Sequence, residues 1–192
     1  MCNVGVCMPP EPTLADQSWP TYSEIAGRSP VVADGVDAST ITIVLRTRMG
    51  APVVAYVRID DEPIEINEPV LRPDLLIIQD PTLFHAVDVF SGLADDGFLL
   101  INTTRTLAEL HIDAALERFP AHHVYTVAAT ELAVQHLGKA TPNTALLGAL
   151  TALFEVLPLE SVITAINDKF SGEVAARNIT VARAAHDAAH AA

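Results

Sequence analysis

From residue 53 onward the chain repeats one pattern, a short apolar run followed by a longer stretch with helical spacing. The residue types over 53–59 suit a half-buried strand. Leu75-Leu76-Ile77-Ile78 and Phe98-Leu99-Leu100-Ile101 are apolar without alternation, as expected of strands covered on both faces. Strands are predicted at 53–59, 74–79, 97–102 and 123–128, with a further short β-branched one at 39–45. Helices are predicted near 83–93, 106–118, 130–137, 143–157, 159–169 and 173–189. Alternation of this kind predicts an α/β domain, a mainly parallel sheet flanked by helices in three layers. The first forty residues differ. Pro9, Pro10, Pro12, Pro20 and Pro30 interrupt them and no period survives, so 1–40 reads as an irregular N-terminal arm and 41–192 as the domain. The alanine-rich tail reads as helix, and no internal repeat is visible.

Punctuation is clearest before the helix at 143–157. Gly138 ends the preceding helix, Pro142 discourages helix before it, and Asn143 is placed to cap the run that follows. Gly148 permits close approach of a neighbour. Ala145, Leu146, Ala149, Leu153 and Val156 form an apolar stripe, which serves as core in a lone domain or as interface in an assembly.

Composition narrows the functional classes. The chain has 192 residues, half of them hydrophobic, enough for one substantial core. No apolar run approaches the roughly 20 residues of a membrane span, and no basic start with an apolar h-region marks a secretory signal. A cytoplasmic protein is the expectation. The net charge is −13, with only eleven Lys and Arg residues spread along the chain. Phosphate-backbone binding needs clustered cations, so neither nucleic acid nor an anionic membrane is an expected partner. The acidic surface suits solubility or a high-salt cytoplasm. Cys2 and Cys7 are the two cysteines, short of the four thiolates of an iron–sulfur cluster or structural zinc site. In a redox enzyme the electron carriers would sit on other subunits.

Ligands of parallel sheets bind beyond the carboxyl ends of the strands, where Asp80 and Asn102-Thr103-Thr104 fall. Asp80 either faces a ligand or caps the segment after it. The amide and hydroxyls of Asn102 and Thr103 either hold a cofactor edge or satisfy turn backbone groups. Arg48 is the leading candidate for anion recognition, because its planar fork suits phosphate or carboxylate and Gly50 lets the backbone approach. Arg46 and Arg58 follow on the same logic. His122-His123, read as extended, would point to opposite faces and not chelate jointly. His186 and His190 are four apart on a predicted helix, a zinc-compatible spacing without the His-Glu-x-x-His glutamate. Ser91-Gly92 and Ser171-Gly172 read as helix-ending turns. No catalytic residue and no metal ligand is assigned.

Five segments, taken in order, resemble one family. Arg48-Met49-Gly50-Ala51-Pro52-Val53 is similar to the Arg-x-Gly-Ala-Pro-Val turn of the gamma subunit of 2-oxoacid:ferredoxin oxidoreductases, the pyruvate synthase family. The strand closing on Asp80-Pro81 and the strand ending in Asn102-Thr103 resemble its next two strands. Asn143-Thr144-Ala145-Leu146-Leu147-Gly148-Ala149 resembles its small-residue helix, and Lys169-Phe170-Ser171-Gly172 through Asn178 its late helix-turn-helix. The resemblance covers about 48–190. It implies a subunit assembled with alpha, beta and delta partners and passing electrons to ferredoxin through the complex. Thiamine diphosphate, magnesium, [4Fe–4S] clusters and coenzyme A are implied in the holoenzyme on those other chains, with none bound by this chain alone. The implied substrate is pyruvate, with branched-chain 2-oxoacids or indolepyruvate close behind. The implied role of this chain is architectural, supporting assembly and the coenzyme A surroundings, with Arg48, Gly50, Asn102, Thr103 and Asn143 as its expected cofactor-binding residues. An inactive paralogue that only binds partners, and a stand-alone nucleotide-binding domain, are the rival readings. The family's Gly-x-Gly-Gly-Gln-Gly opening is not matched within 1–47, and Thr47 stands where an acidic residue usually precedes the arginine. A wrongly chosen start or an upstream frame error is the expected explanation, ahead of divergence.

Overall fold

The computed structural model describes residues 4–7, 39–46, 52–60, 63–65, 68–85, 87–153 and 157–191. Among the described residues seven strands form one sheet: β1 (Val4–Cys7), β2 (Ser39–Arg46), β3 (Pro52–Ile59), β4 (Leu75–Ile78), β5 (Phe98–Asn102), β6 (Val124–Val127) and β7 (His190–Ala191), in the order β1-β3-β2-β4-β5-β6-β7. The four strands from β2 to β6 run parallel, and Ile43, Ile77, Leu100 and Tyr125 lie abreast across them. Antiparallel partners flank this parallel centre, with β3 and β1 on one side and β7 on the other.

Alternation along the strands sends side chains to two separate cores. Val57, Ile59, Leu75, Ile77, Leu100 and Val127 face α3 (Ala129–Leu137), α4 (Asn143–Leu153) and α6 (Gly172–Ala188). Leu76, Ile78, Leu99, Ile101 and Val124 face the opposite way, onto Leu83, Val89, Leu93, Leu110, Ile112, Leu116 and Phe119. Full burial of each such side chain stabilises by about 1.5–3 kcal/mol. The three-layer α/β architecture is therefore as expected, but its two outer layers are unlike. One is built of long helices. The other holds a 3-10 turn (Pro81–His85) and two single-turn helices, α1 (Leu107–Leu110) and α2 (Asp113–Leu116).

That second layer overturns two expected helices. The 83–93 segment makes the end of one 3-10 turn and, over 87–93, turns rather than helix; Gly92 sits there at φ +83 with the Leu71 carbonyl 2.2 Å from where its Cβ would be, so the chain turns at that point. The 106–118 segment breaks at His111, in left-handed backbone at φ 56. The break lets Leu110, Ile112 and Leu116 all enter the core. Ser91-Gly92 thus follows no helix, and Ser171-Gly172 opens α6 rather than ending α5 (Leu159–Lys169). Within the expected irregular arm, Val4–Cys7 forms strand β1, with Val4 opposite Ile59 and Cys7 opposite Tyr56. Its partner lies 49 to 55 positions away, so nothing local in the sequence announces the pairing.

Helices α4 and α6 pack closely enough to settle the role of the small-residue stripe. A Cβ on Gly148 would lie 2.1 Å from the Ala182 carbonyl oxygen and 2.6 Å from its Cα. Ala145, Ala149, Val181 and Ala185 are fully buried around the contact, so the stripe from Ala145 to Leu153 is core, while Val156 lies outside the described residues. Thr144 donates to Asn178 Oδ1 at 2.8 Å on one side of it. On the other, Thr151 Oγ1 lies 2.6 Å from the Gly148 carbonyl and 2.8 Å from His186 Nδ1. These polar pairs hold the two helices in register.

Candidate functional site at the carboxyl ends of the parallel strands

Asn102 is the last residue of β5. Positions 98, 100 and 102 share one face of the strand, which aims the Asn102 side chain at the layer where α3 begins. It is 6% exposed. Its Nδ2 donates to the Gln79 carbonyl just past β4 and to Thr130 Oγ1, each at 2.8 Å. Its Oδ1 accepts from the Thr130 N–H at 3.1 Å. One side chain therefore ties the end of β4, the end of β5 and the first turn of α3. Both amide hydrogens are committed inside the protein, so toward a ligand Asn102 retains one lone pair of Oδ1.

Thr103 continues the same structure. Its N–H donates to the Val127 carbonyl at 2.9 Å, joining β5 to the end of β6. Its hydroxyl accepts from the Arg105 N–H at 2.9 Å and tightens the turn that presents Thr104 and Arg105 to solvent. Asp80 Oδ1 accepts from the Thr82 N–H at 2.9 Å and its hydroxyl at 2.7 Å, a cap on the 3-10 turn. Thr130 was not singled out from the sequence. The available signal was its place in the turn after the 123–128 strand, matching that of Thr103-Thr104 after 97–102.

Arg48 and Gly50 lie outside the described residues. Asn143 is exposed in the first turn of α4, and among the described residues no hydrogen bond links it to Asn102. Nor does it cap the helix: Leu146 N–H donates to the Pro142 carbonyl at 2.8 Å, so helical bonding starts one residue earlier. Arg46 closes β2. Arg58 grips the chain, its guanidinium donating to the Glu68 carbonyl at 2.8 Å and the Pro69 carbonyl at 3.4 Å.

His122 and His123 are not extended. They lie in a 3-10 turn (Ala121–His123) with their rings edge to face at 4.4 Å, and His123 stacks on Phe98 at 4.1 Å. The helical spacing of His186 and His190 is broken because α6 ends at Ala188 and His190 belongs to β7. Among the described residues no group of three or more His, Cys, Asp or Glu side chains is gathered to hold a metal ion. An iron–sulfur cluster does not fit the chain, which has two cysteines in all. Near the rim, Thr106 caps α1 in a reciprocal box with Glu109. The Thr106 N–H and hydroxyl donate to the Glu109 carboxylate at 2.8 and 2.9 Å. The backbone bond first, and the hydroxyl second, hold that carboxyl below the usual glutamate range.

The sequence profile of the pyruvate ferredoxin/flavodoxin oxidoreductase family matches residues 19–188, beginning well upstream of the resemblance read from Arg48. The chain is 41% identical over 140 residues to the pyruvate/ketoisovalerate oxidoreductases common subunit gamma of Pyrococcus abyssi, spanning 73% of this chain and 74% of that one. It is 36% identical over 140 residues to pyruvate synthase subunit PorC of Methanothermobacter marburgensis, with 73% of each chain covered. Among solved structures it resembles pyruvate oxidoreductase subunit PORC of Thermotoga maritima, with a TM-score of 0.62 and 29% identity over 79% of this chain and 80% of that one. The gamma subunit of a keto/oxoacid ferredoxin oxidoreductase from Geobacter sulfurreducens shares the fold, with a TM-score of 0.52 at 19% identity over 86% of this chain and 83% of that one. No helix among the described residues is long and apolar enough to cross a membrane.

Proposed function

Because the chain belongs to the pyruvate ferredoxin/flavodoxin oxidoreductase family, we propose that it serves as the gamma-type subunit of a 2-oxoacid:ferredoxin oxidoreductase. The observation that carries this reading is its 41% identity to a common gamma subunit across about three quarters of both chains. In this reading alpha, beta and delta chains hold thiamine diphosphate with magnesium and the [4Fe–4S] clusters, which supply the decarboxylation and the path of electrons to ferredoxin. This chain contributes a wall. Its parallel strand ends, tied by Asn102 and Thr103, form a rigid rim beside the place where coenzyme A meets the acyl group. Preorganised walls of this kind position reactants and exclude water without supplying a reacting atom.

Pyruvate is the proposed substrate. A second reading, in which the chain is shared with a branched-chain 2-oxoacid enzyme, is favoured by the Pyrococcus abyssi relative, a gamma subunit common to pyruvate and ketoisovalerate oxidoreductases. Arg48 is proposed as a contact to coenzyme A or to a neighbouring subunit. Arg48→Ala should raise the apparent KM for coenzyme A in the first case and weaken assembly in the second.

The test is co-expression with the alpha, beta and delta chains, followed by assay of coenzyme A-dependent ferredoxin reduction with pyruvate and with 2-ketoisovalerate. Omission of this chain should abolish turnover. Equal turnover without it would refute the proposal, and a complete but inactive complex would favour the inactive paralogue.

A further inference from the structure

At the amino ends of β4 and β5, opposite the rim, Leu71 is 79% exposed. Single exposed leucines are ordinary. This one differs in how firmly its loop is held. Val70 and Pro73 on either side are buried. The Leu71 carbonyl sits against Gly92 so closely that a Cβ there would be 2.2 Å away. The Arg58 guanidinium donates to the carbonyls of Glu68 and Pro69. Phe98 N–H donates to the Asp74 carbonyl at 2.9 Å, so segments 68–74 and 88–97 run side by side. A large apolar side chain thus projects from a backbone fixed on both sides, and little freedom remains to be lost on docking.

The surrounding charge selects the kind of partner. The exposed ionisable residues of these two segments are Glu68, Asp74, Asp88, Asp95 and Asp96, against Arg72; Arg58 and Arg118 reach in from neighbouring elements, Arg118 lying 3.9 Å from Asp95, and the surface stays net acidic. A second copy of this surface would bring like charges together, which disfavours pairing, whereas a basic rim would complement it. Building on the gamma-subunit reading above, we infer that Leu71 is a docking knob for another chain of the oxidoreductase, one that presents an apolar socket edged by Lys and Arg. The subunit would then be anchored at the amino ends of its strands, leaving the carboxyl-end rim to face the reaction.

The experiment uses the full chain with co-expressed alpha, beta and delta chains, comparing wild type, Leu71→Asp and Leu71→Met. Because the side chain is exposed, the isolated variants should melt as wild type does. Leu71→Asp should weaken assembly about ten- to a hundredfold, the affinity equivalent of one buried leucine, and Leu71→Met should retain most of it. Unchanged assembly of Leu71→Asp would overturn the inference while leaving the proposed function standing. A homodimer of the isolated chain that Leu71→Asp dissolves would show that the occupant is a second copy. Wild type that binds none of the three chains would remove both readings together.

Discussion

A single methyl group placed at Gly148 tests how the long-helix layer is built. In Gly148→Ala the new Cβ would meet the Ala182 carbonyl oxygen at 2.1 Å, its Cα at 2.6 Å and its carbonyl carbon at 2.7 Å. All three are backbone atoms of a packed helix, so no side-chain rotation relieves the clash. To regain ordinary contact, α4 and α6 must part by roughly 1 Å, a gap that forfeits a quarter to a half of each dispersion contact along the seam. Overpacking of this kind costs about 1–3 kcal/mol. The Thr144–Asn178 and Thr151–His186 bonds, both 2.8 Å, would stretch with it, at about 0.5–1.5 kcal/mol each. Alanine's helix propensity returns about 1 kcal/mol. The net expectation is a loss of about 3 kcal/mol, a fall in Tm of about 6–12 °C for a chain of this size. Urea and thermal denaturation followed by far-UV circular dichroism measure it. Gly138→Ala is the comparison: nothing lies within 4 Å of its Cβ, so only the cost of φ +69 applies, about 1 kcal/mol. If Gly148→Ala proved as stable as wild type, or more so, the close approach of the two helices would be wrong.

Asn102→Ala should destabilise the chain by about 2 kcal/mol, because the Gln79 carbonyl and the Thr130 N–H lose their partner in a buried setting; an unchanged denaturation midpoint would remove the tie from the account. The Glu109 carboxyl is held below its ordinary range, so its contribution is present above the unfolded-state pKa and is lost as pH falls through the lowered folded value. Thr106→Val, which keeps the N–H but removes the hydroxyl, should move that titration partway back up, and carboxyl chemical shifts followed against pH would report it. A wild-type Glu109 titrating in the ordinary range would contradict the capping box. The isolated chain should show no visible absorbance from an iron–sulfur cluster and no 2-oxoacid oxidation, since it has two cysteines; stoichiometric bound iron would reverse that conclusion.

The strands were legible because burial on both faces writes itself into four or five consecutive residues, as at Leu75–Ile78. Helices α3, α4, α5 and α6 were legible from periodicity and from Gly138 and Pro142 between them. The failures share a cause. Residues 83–93 and 106–118 carry helix-like composition, but Leu71 against Gly92 and the left-handed His111 decide their backbone. Strand β1 and the departure of His190 from α6 depend on partners distant in sequence. At the rim, residue types marked Asn102 and Thr103, but not that Asn102 turns inward. That follows from strand parity and from Thr130, whose contribution appears once α3 is placed over β5.

The two unlike layers of the sheet imply unequal lifetimes. An isolated helix of four residues cannot offset its own nucleation, so α1 and α2 exist only while the sheet beneath them does. The seventeen-residue α6, locked to α4 by backbone contact and polar pairs, opens with the whole molecule. Amide protons over 87–97 and 103–123, on either side of β5, should therefore exchange by local excursions that leave the long-helix layer shut. The chain is hard on one side and pliant on the other, and a pliant side can be remoulded against a neighbour without unfolding the rest.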